Sequence, residues 1–294
     1  MPTATARSGL TLAYETTGSP DDPPLLLVSG LGTQLISWDD GLCALLADAG
    51  RSVIRFDNRD AGLSSTFGDD PVDLAAVIRA MASGDMATAR SLAPYTLSDM
   101  AQDAMELLDV LGIDRAHVVG ASMGGMIAQT MAIEHPDRVR TLTSIMSTTG
   151  EPEFGRSTRE ARKVLLAPAP TEREAFIEDS VRALEWHSKR YPDPDEVRAL
   201  AARSFDRSFR PAGTARQLAG ITASGSRADG LRSLDVPTLV IHGLADTLID
   251  PSGGRRTAEL VPGAELLLVP DMGHDRPRPL WPVLVEAIVA HTSG

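Results

Sequence analysis

Gly120-Ala121-Ser122-Met123-Gly124-Gly125 is the stretch whose reading decides the fold. It directly follows the apolar run Ala116-His117-Val118-Val119. It opens a helical pattern from Met123 to His135, which Pro136 stops. G-x-S-x-G between a buried strand and a helix is a sharp turn that lifts a serine hydroxyl above the end of a sheet. Glycines flank the serine because a side chain at Gly120 or Gly124 would strike the neighbouring strand or helix. The helix start brings unpaired N–H groups and the positive end of its dipole. The Met123 N–H is thereby aimed at any oxyanion formed beside Ser122.

Outward from this turn, short apolar runs recur: Leu25–Val28, Ser52–Asp57, Thr141–Met146, Thr238–His242 and Glu265–Val269. Continuous runs of this length fit strands buried on both faces of a parallel sheet. Amphipathic segments lie between them. Ser98 is placed to cap a helix bearing Met105, Leu107, Leu108 and Leu111, with Gly112 at its stop. A last helix is expected over Trp281 to His291. The alternation implies an α/β fold, a mostly parallel central sheet flanked by helices.

Two stretches break the rhythm. Residues 68–96 insert helical sequence, Val72 to Met81 and Asp85 to Leu92. Residues 150–230 hold no buried-strand run. There, Thr171-Glu172-Arg173-Glu174 has the capping-box pattern for a helix towards Trp186. Pro194-Asp195-Glu196 opens another towards Phe205, and a third spans Ala212 to Ala219. The sheet resumes at Val236-Pro237-Thr238. The expected organisation is a core of residues 1–149 and 231–294, with residues 150–230 inserted as a helical cap.

The 294-residue chain is 43% hydrophobic and 23% charged, which is ordinary for a globular protein and excludes intrinsic disorder. A formal net charge of −12 argues against nucleic acid and against an anionic membrane surface as partners. No apolar stretch is long enough to span a bilayer, and the N-terminus has no secretory h-region, so a soluble cytoplasmic protein is expected. The single cysteine, Cys43, excludes an intramolecular disulfide and a cysteine-rich metal site, and is expected to be a buried small hydrophobe. No metal or cofactor is required. Oligomeric state stays open.

A serine hydroxyl needs a base. Of six histidines, His117 lies inside a strand, His242 packs at a strand end, and His135 and His291 read as surface residues. His187 falls in the cap. His274 differs, sitting beside Gly273 on the loop just past the last strand run, where open α/β sheets place their sites. The carboxylate that fixes its tautomer is sought on the loop after Thr238–His242. Asp246 is favoured there, with Asp250 as the rival. The loop after Thr141–Met146 offers no carboxylate before Glu151. The chain order Ser122, Asp246, His274 follows. A second oxyanion donor is expected from Ser29-Gly30-Leu31-Gly32, through the Leu31 N–H.

With these residues in hand, the sequence resembles the α/β-hydrolase superfamily. The matching segments are Ser29–Gly32, Asp57-Asn58-Arg59-Asp60-Ala61-Gly62-Leu63-Ser64, Gly120–Gly124, Gly243–Asp246 and Gly273-His274. Within it the chain is most similar to small-molecule carboxylesterases of the aclacinomycin-methylesterase type, which hydrolyse an ester on a bulky polyketide. Serine at the elbow sets it apart from epoxide hydrolases and haloalkane dehalogenases, which attack with aspartate. Two departures stand out: Ser29 replaces a histidine common before the oxyanion glycine, and Asp60 stands where many relatives have glycine. The 57–64 segment is expected to support the site without a catalytic role.

The resemblance implies a serine carboxylesterase, and with the expected cap it implies a fairly large apolar ester, such as a polyketide or macrolactone; the negative charge excess further points to a neutral or cationic substrate. Trp38, Trp186 and His187 are candidate walls of its pocket, against ordinary packing as the alternative. Met81, Met86, Met123 and Met126 are placed either there or in the core. Carbon–carbon bond hydrolysis, amide cleavage and cofactor-free perhydrolysis use the same three side chains and remain alternatives. A non-catalytic receptor would need a broken triad or a blocked elbow, and neither is seen.

Overall fold

In the computed structural model, which describes residues 1–68 and 71–293, the apolar runs become strands of one eight-stranded sheet. In chain order these are β1 (Thr3–Thr5), β2 (Thr11–Thr17), β3 (Pro24–Val28), β4 (Ser52–Phe56), β5 (Ala116–Ala121), β6 (Val139–Ile145), β7 (Thr238–Gly243) and β8 (Glu265–Val269). Their spatial order is β1-β2-β4-β3-β5-β6-β7-β8. The pairs β1–β2 and β2–β4 are antiparallel, and every pair from β4 through β8 is parallel. Successive side chains of β3 divide between two cores. Leu26 and Val28 join an apolar cluster on one face, Leu25 and Leu27 another on the opposite face. Burial on both faces is why β3, β4, β5, β6 and β7 read as apolar runs. β8 differs from that expectation: it lies at the sheet edge, and only Val269 of its five residues is buried.

Helices cover both faces. α1 (Asp40–Asp48) and α12 (Trp281–His291) pack over the Leu25 side. α4 (Leu97–Val110) and α5 (Met123–Glu134) cover the Leu26 side. Cys43 is buried on α1, as expected, and burial pushes its thiol up to about 11. No helix of the described residues is long and apolar enough to cross a membrane.

The sequence reading missed β1 and β2. β1 has only three residues, both strands are threonine-rich, and in β2 only Leu12 and Ala13 are buried, so neither forms an apolar run. Two helix starts also differ. α4 is capped by Thr96 rather than Ser98: Thr96 and Asp99 form a capping box, while the Ser98 hydroxyl donates to Glu134. The Thr171–Glu174 box does not form. α7 (Arg173–Ser180) follows Glu172 without a side-chain cap, and a 3-10 turn over Val181–Glu185 carries the chain to Trp186. Gly112 does end the α4 region, in a left-handed conformation with φ +69°.

α2 (Leu74–Ala82) and α3 (Met86–Leu92) are capped by Asp73 and Asp85. They share a small apolar cluster with α9 (Pro211–Ser224), through Val77, Ala80, Ala89, Ala219 and Ala223. The two irregular stretches of sequence therefore pack on one another. α6 (Arg159–Leu165), α7, α8 (Pro194–Arg207), α9 and the short α10 (Ala228–Arg232) lie between β6 and β7 in the chain. Polar contacts fasten α8 and α9 to the loop after β4. Arg207 meets Asp57 at 2.7 Å and Arg216 meets Asp60 at 2.8 Å, with all four side chains largely buried.

Candidate active site

Ser122 sits at φ 57°, ψ −121°, a region that side-chain-bearing residues rarely occupy. Holding it there costs about 1–3 kcal/mol, which the surroundings must offset. Its N–H donates to Ile145 O at 2.9 Å, and its carbonyl accepts from Gly125 N and the Ser147 hydroxyl, each at 2.9 Å. A Cβ at Gly120 would lie 2.0 Å from the Gly124 carbonyl oxygen, and one at Gly124 would lie 2.0 Å from the Val28 oxygen. The glycines of the turn thus answer to a helix backbone and a strand backbone, as the sequence predicts.

The loop after β3 lies against this turn: a Cβ at Gly30 would sit 3.4 Å from Ser122 Cβ. Neither the Leu31 N–H nor the Met123 N–H has an acceptor among the described residues, and both residues line one cavity with Ser122. The 57–60 segment holds the loop in place. Asn58 Nδ2 donates to Ser29 O at 3.0 Å, and Asp57 Oδ1 accepts from Leu35 N at 2.7 Å. From α9, Gln217 Oε1 accepts the Gly32 N–H at 2.8 Å. Asp60 has φ +66°, which explains why glycine would suit the position. Aspartate is compensated there by Arg216 at 2.8 and 2.9 Å, the Tyr95 hydroxyl at 2.7 Å and the Phe67 N–H at 2.9 Å.

Asp246, on the loop after β7, and His274, on the loop after β8, meet at 2.7 Å between Oδ2 and Nδ1. The other oxygen, Oδ1, accepts the N–H groups of Leu248 and Ile249 at 2.8 and 2.9 Å. Burial pushes the Asp246 carboxyl upward, but His274 and His242 outweigh it and hold the group below its ordinary value. The rival Asp250 is exposed and accepts Ser252 N at 2.9 Å, at the start of α11 (Ser252–Leu260). The His274 backbone N–H donates to Trp186 O at 2.7 Å. A Cβ at Gly273 would fall 2.4 Å from the His187 carbonyl carbon, so the histidine loop and residues 186–188 are in close contact.

The other histidines divide as their positions dictate. His117 is buried in β5 against the Thr141 hydroxyl at 2.9 Å. Burial, with Arg140 and Arg51 nearby, pushes its pKa down to about 4. His242 is fully buried, 2.8 Å from Ile249 O and 3.5 Å from Asp246 Oδ2. His135 and His291 are both half-buried rather than surface residues. His291 Nε2 lies 3.2 Å from Leu142 O, and burial lowers its pKa.

Ser122 and His274 face a cavity of about 720 Å³, enclosed by core loops on one side and by α8, α9 and the Trp186 segment on the other. Trp186 and His187 line it, as the sequence suggests. Burial first, then the charge of His274, lowers His187 to about 4. Trp38 does not line it. The 3-10 turn Leu35–Ser37 directs Ile36 and Ser37 to the cavity and turns Trp38 beneath them, fully buried beside Leu42 and Cys43. Of the methionines, Met123 and Met126 reach the wall, Met146 joins them, and Met81 is on the exposed surface of α2. Sequence reasoning missed Arg276, Asp275 and Glu196 on the wall. The first two adjoin His274 in sequence, and that adjacency was the available signal.

A serine on a strained strand-to-helix turn and a carboxylate-bound imidazole on one cavity, over a parallel sheet, define an α/β hydrolase. The chain belongs to the α/β-hydrolase fold family, whose pattern it matches over residues 23–275. It is 30% identical to the rhodomycin D methylesterase of Streptomyces sp. strain C5, across 99% of this chain and 98% of that one. It is also 30% identical to the rhodomycin D methylesterase of Streptomyces peucetius, across 96% and 95%. Among solved structures, the enol-lactonase from Burkholderia xenovorans LB400 superposes with a TM-score of 0.75 at 24% identity, covering 100% of both chains.

Proposed function

We propose that the protein is a serine carboxylesterase that cleaves an ester of a fairly large, mainly apolar small molecule of polyketide type through an acyl-enzyme on Ser122. The observation that carries this reading is the 2.7 Å Asp246–His274 contact on the same cavity wall as Ser122. His274 takes the Ser122 proton as the hydroxyl attacks the ester carbonyl, while Asp246 holds the imidazole in register and stabilises its protonated form. The Leu31 and Met123 N–H groups receive the oxyanion, where one donor is worth about 3–4 kcal/mol. His274 then protonates the leaving alcohol, and a water activated by the same ring releases the acid. Residues 150–230 act as a cap over this core, built of residues 1–149 and 231–294.

The substrate class is supported by the wall and by the relatives. A cavity of about 720 Å³ is in the range that takes drug-sized ligands, and Met146, Leu165, Leu200, Leu218 and Ile221 give it an apolar side. Both Streptomyces relatives carry the name methylesterase, so a methyl ester on a polycyclic acid is the first natural candidate. The test is hydrolysis of p-nitrophenyl esters and of methyl esters of polycyclic aromatic acids, by the wild type, Ser122→Ala and His274→Ala. Each substitution is expected to lower kcat by about 10⁴-fold or more with the fold retained, because such residues act as a unit. Preferred turnover of amide or vinylogous diketone substrates would contradict the ester assignment while keeping the serine.

A further inference from the structure

Arg276 lies two residues past His274, on the same loop, and lines the same cavity. Its guanidinium stacks over the Trp38 ring at 4.2 Å, and its Nη2 donates to Ser37 O at 2.9 Å. Its Nε and Nη1 make no hydrogen bond among the described residues, and neither is sealed from the cavity. No carboxylate among those residues comes within ion-pairing distance. Asp275, its neighbour in the chain, makes no ion pair with it: its carboxylate accepts the Ser188 and Gly273 N–H groups at 2.9 and 3.2 Å and acts on Arg276 only through space.

The remaining charges of the wall are met locally. Arg278 reaches Asp39 at 3.3 Å and Glu196 at 3.4 Å, and Arg203 reaches Glu196 at 3.6 Å. Asp193 caps α8 by accepting Glu196 N at 2.9 Å. Among the described residues, Arg276 is thus the arginine of the wall whose charge no contacting carboxylate balances. Enclosure pushes its pKa down to about 10, so it stays protonated at neutral pH. A half-buried guanidinium that only the through-space charge of Asp275 offsets, with no carboxylate in contact, is unfavourable, and one aromatic face returns only about 2 kcal/mol of that. The protein's net charge of −12 repels anions at a distance, but inside a cleft the nearest charges set the field.

We propose that Arg276 anchors a carboxylate, or an equally acidic oxygen, carried by the substrate away from the bond that is cut. Trp38 and Ser37 hold the guanidinium in place, so its free donors are ordered before the ligand arrives. The ligand is then apolar along most of its length with one acidic oxygen group, rather than neutral throughout. This deepens the esterase reading and rests on it for the position of the reacting bond.

The test compares two series of p-nitrophenyl esters matched in chain length: plain alkanoates, and monoesters of dicarboxylic acids from succinate to suberate. At one or more lengths the wild type is expected to favour the acid-ended ester in kcat/KM. In Arg276→Met that preference should fall by about tenfold or more, carried by KM, as for loss of a charged hydrogen bond. Arg276→Lys should keep an intermediate preference, since the charge remains but not the planar donors. A purely structural arginine would lower both series alike and leave the ratio unchanged, which would overturn the proposal. So would a wild type with no preference at any length, a result that does not depend on the variant folding. If the wild type cleaves neither series, the esterase reading fails by itself. The anchor is then read by thermal shift: suberate should raise the wild-type Tm and not that of Arg276→Met, and no shift in the wild type overturns it.

Discussion

The turn at Ser122 and the helices between β6 and β7 border the same cavity but are held by different physics. The turn is set by backbone crowding. Gly120 and Gly124 leave no room for a Cβ, and strand, turn and helix follow one another without a break from Ala116 to Glu134. The helices are anchored instead by polar side chains that reach far along the chain. Arg207 meets Asp57, Arg216 meets Asp60, and Gln217 accepts the Gly32 N–H. One region tolerates almost no change of residue type at its glycines. The other depends on matched pairs, each of which fails when one partner is removed.

The sharpest break of this contrast is Gly124→Ala. A methyl group 2.0 Å from the Val28 oxygen cannot be absorbed by a rotamer change, so strand or helix must shift. Destabilisation beyond about 3 kcal/mol is expected, seen as lost soluble protein or a large fall in the urea midpoint. A variant with wild-type stability would show that crowding does not dictate the turn.

Next in size is Asp60→Asn, which removes the buried partner of Arg216. Breaking such a pair costs about 3–5 kcal/mol, partly relieved here by the hydrogen bonds that asparagine keeps. Asp60→Gly relieves the positive φ, worth about 1–3 kcal/mol, but removes both hydrogen bonds that Arg216 makes to this carboxylate. Both variants should melt below the wild type in denaturant titrations. If Asp60→Gly were the more stable protein, backbone strain rather than pairing would govern this anchor.

The smallest effect concerns pH. His117 in the core and His187 at the cavity both have pKa values lowered to about 4, so the folded protein keeps them neutral while the unfolded chain protonates near 6.5. Between those values the unfolded state binds more protons. Stability is therefore full above about pH 6.5 and is lost as pH falls towards 4. His117→Asn should flatten this slope by about 1–3 kcal/mol between pH 7 and 4.5, measured by urea unfolding at each pH. An unchanged slope would show that His117 does not carry the acid sensitivity.

The same contrast explains what could be read from the sequence. The parallel strands, the elbow, Asp246 and His274 follow from local rules: apolar runs buried on two faces, glycines at a crowded turn, polar residues at carboxyl ends of strands. Trp186 and His187 reached the wall as expected because the Gly273 loop closes against them. Trp38 did not, because one short turn decides which of Ile36, Ser37 and Trp38 faces inward, and no spacing encodes that. The β1–β2 hairpin lacks an apolar run. The helix cap at Thr96 lay two residues before Ser98, among several residues able to cap. Asp60–Arg216 joins positions far apart in the chain, and Asp60 read only as a departure until its φ and its partner were both known.

The central claim is that Ser122 is the nucleophile activated by His274. Fluorophosphonate labelling followed by peptide mapping by mass spectrometry tests it most directly. One adduct per chain, on Ser122, is expected in the wild type, with none in Ser122→Ala and labelling slowed by orders of magnitude in His274→Ala. An adduct on another residue, or full-rate labelling without the imidazole, would contradict the account.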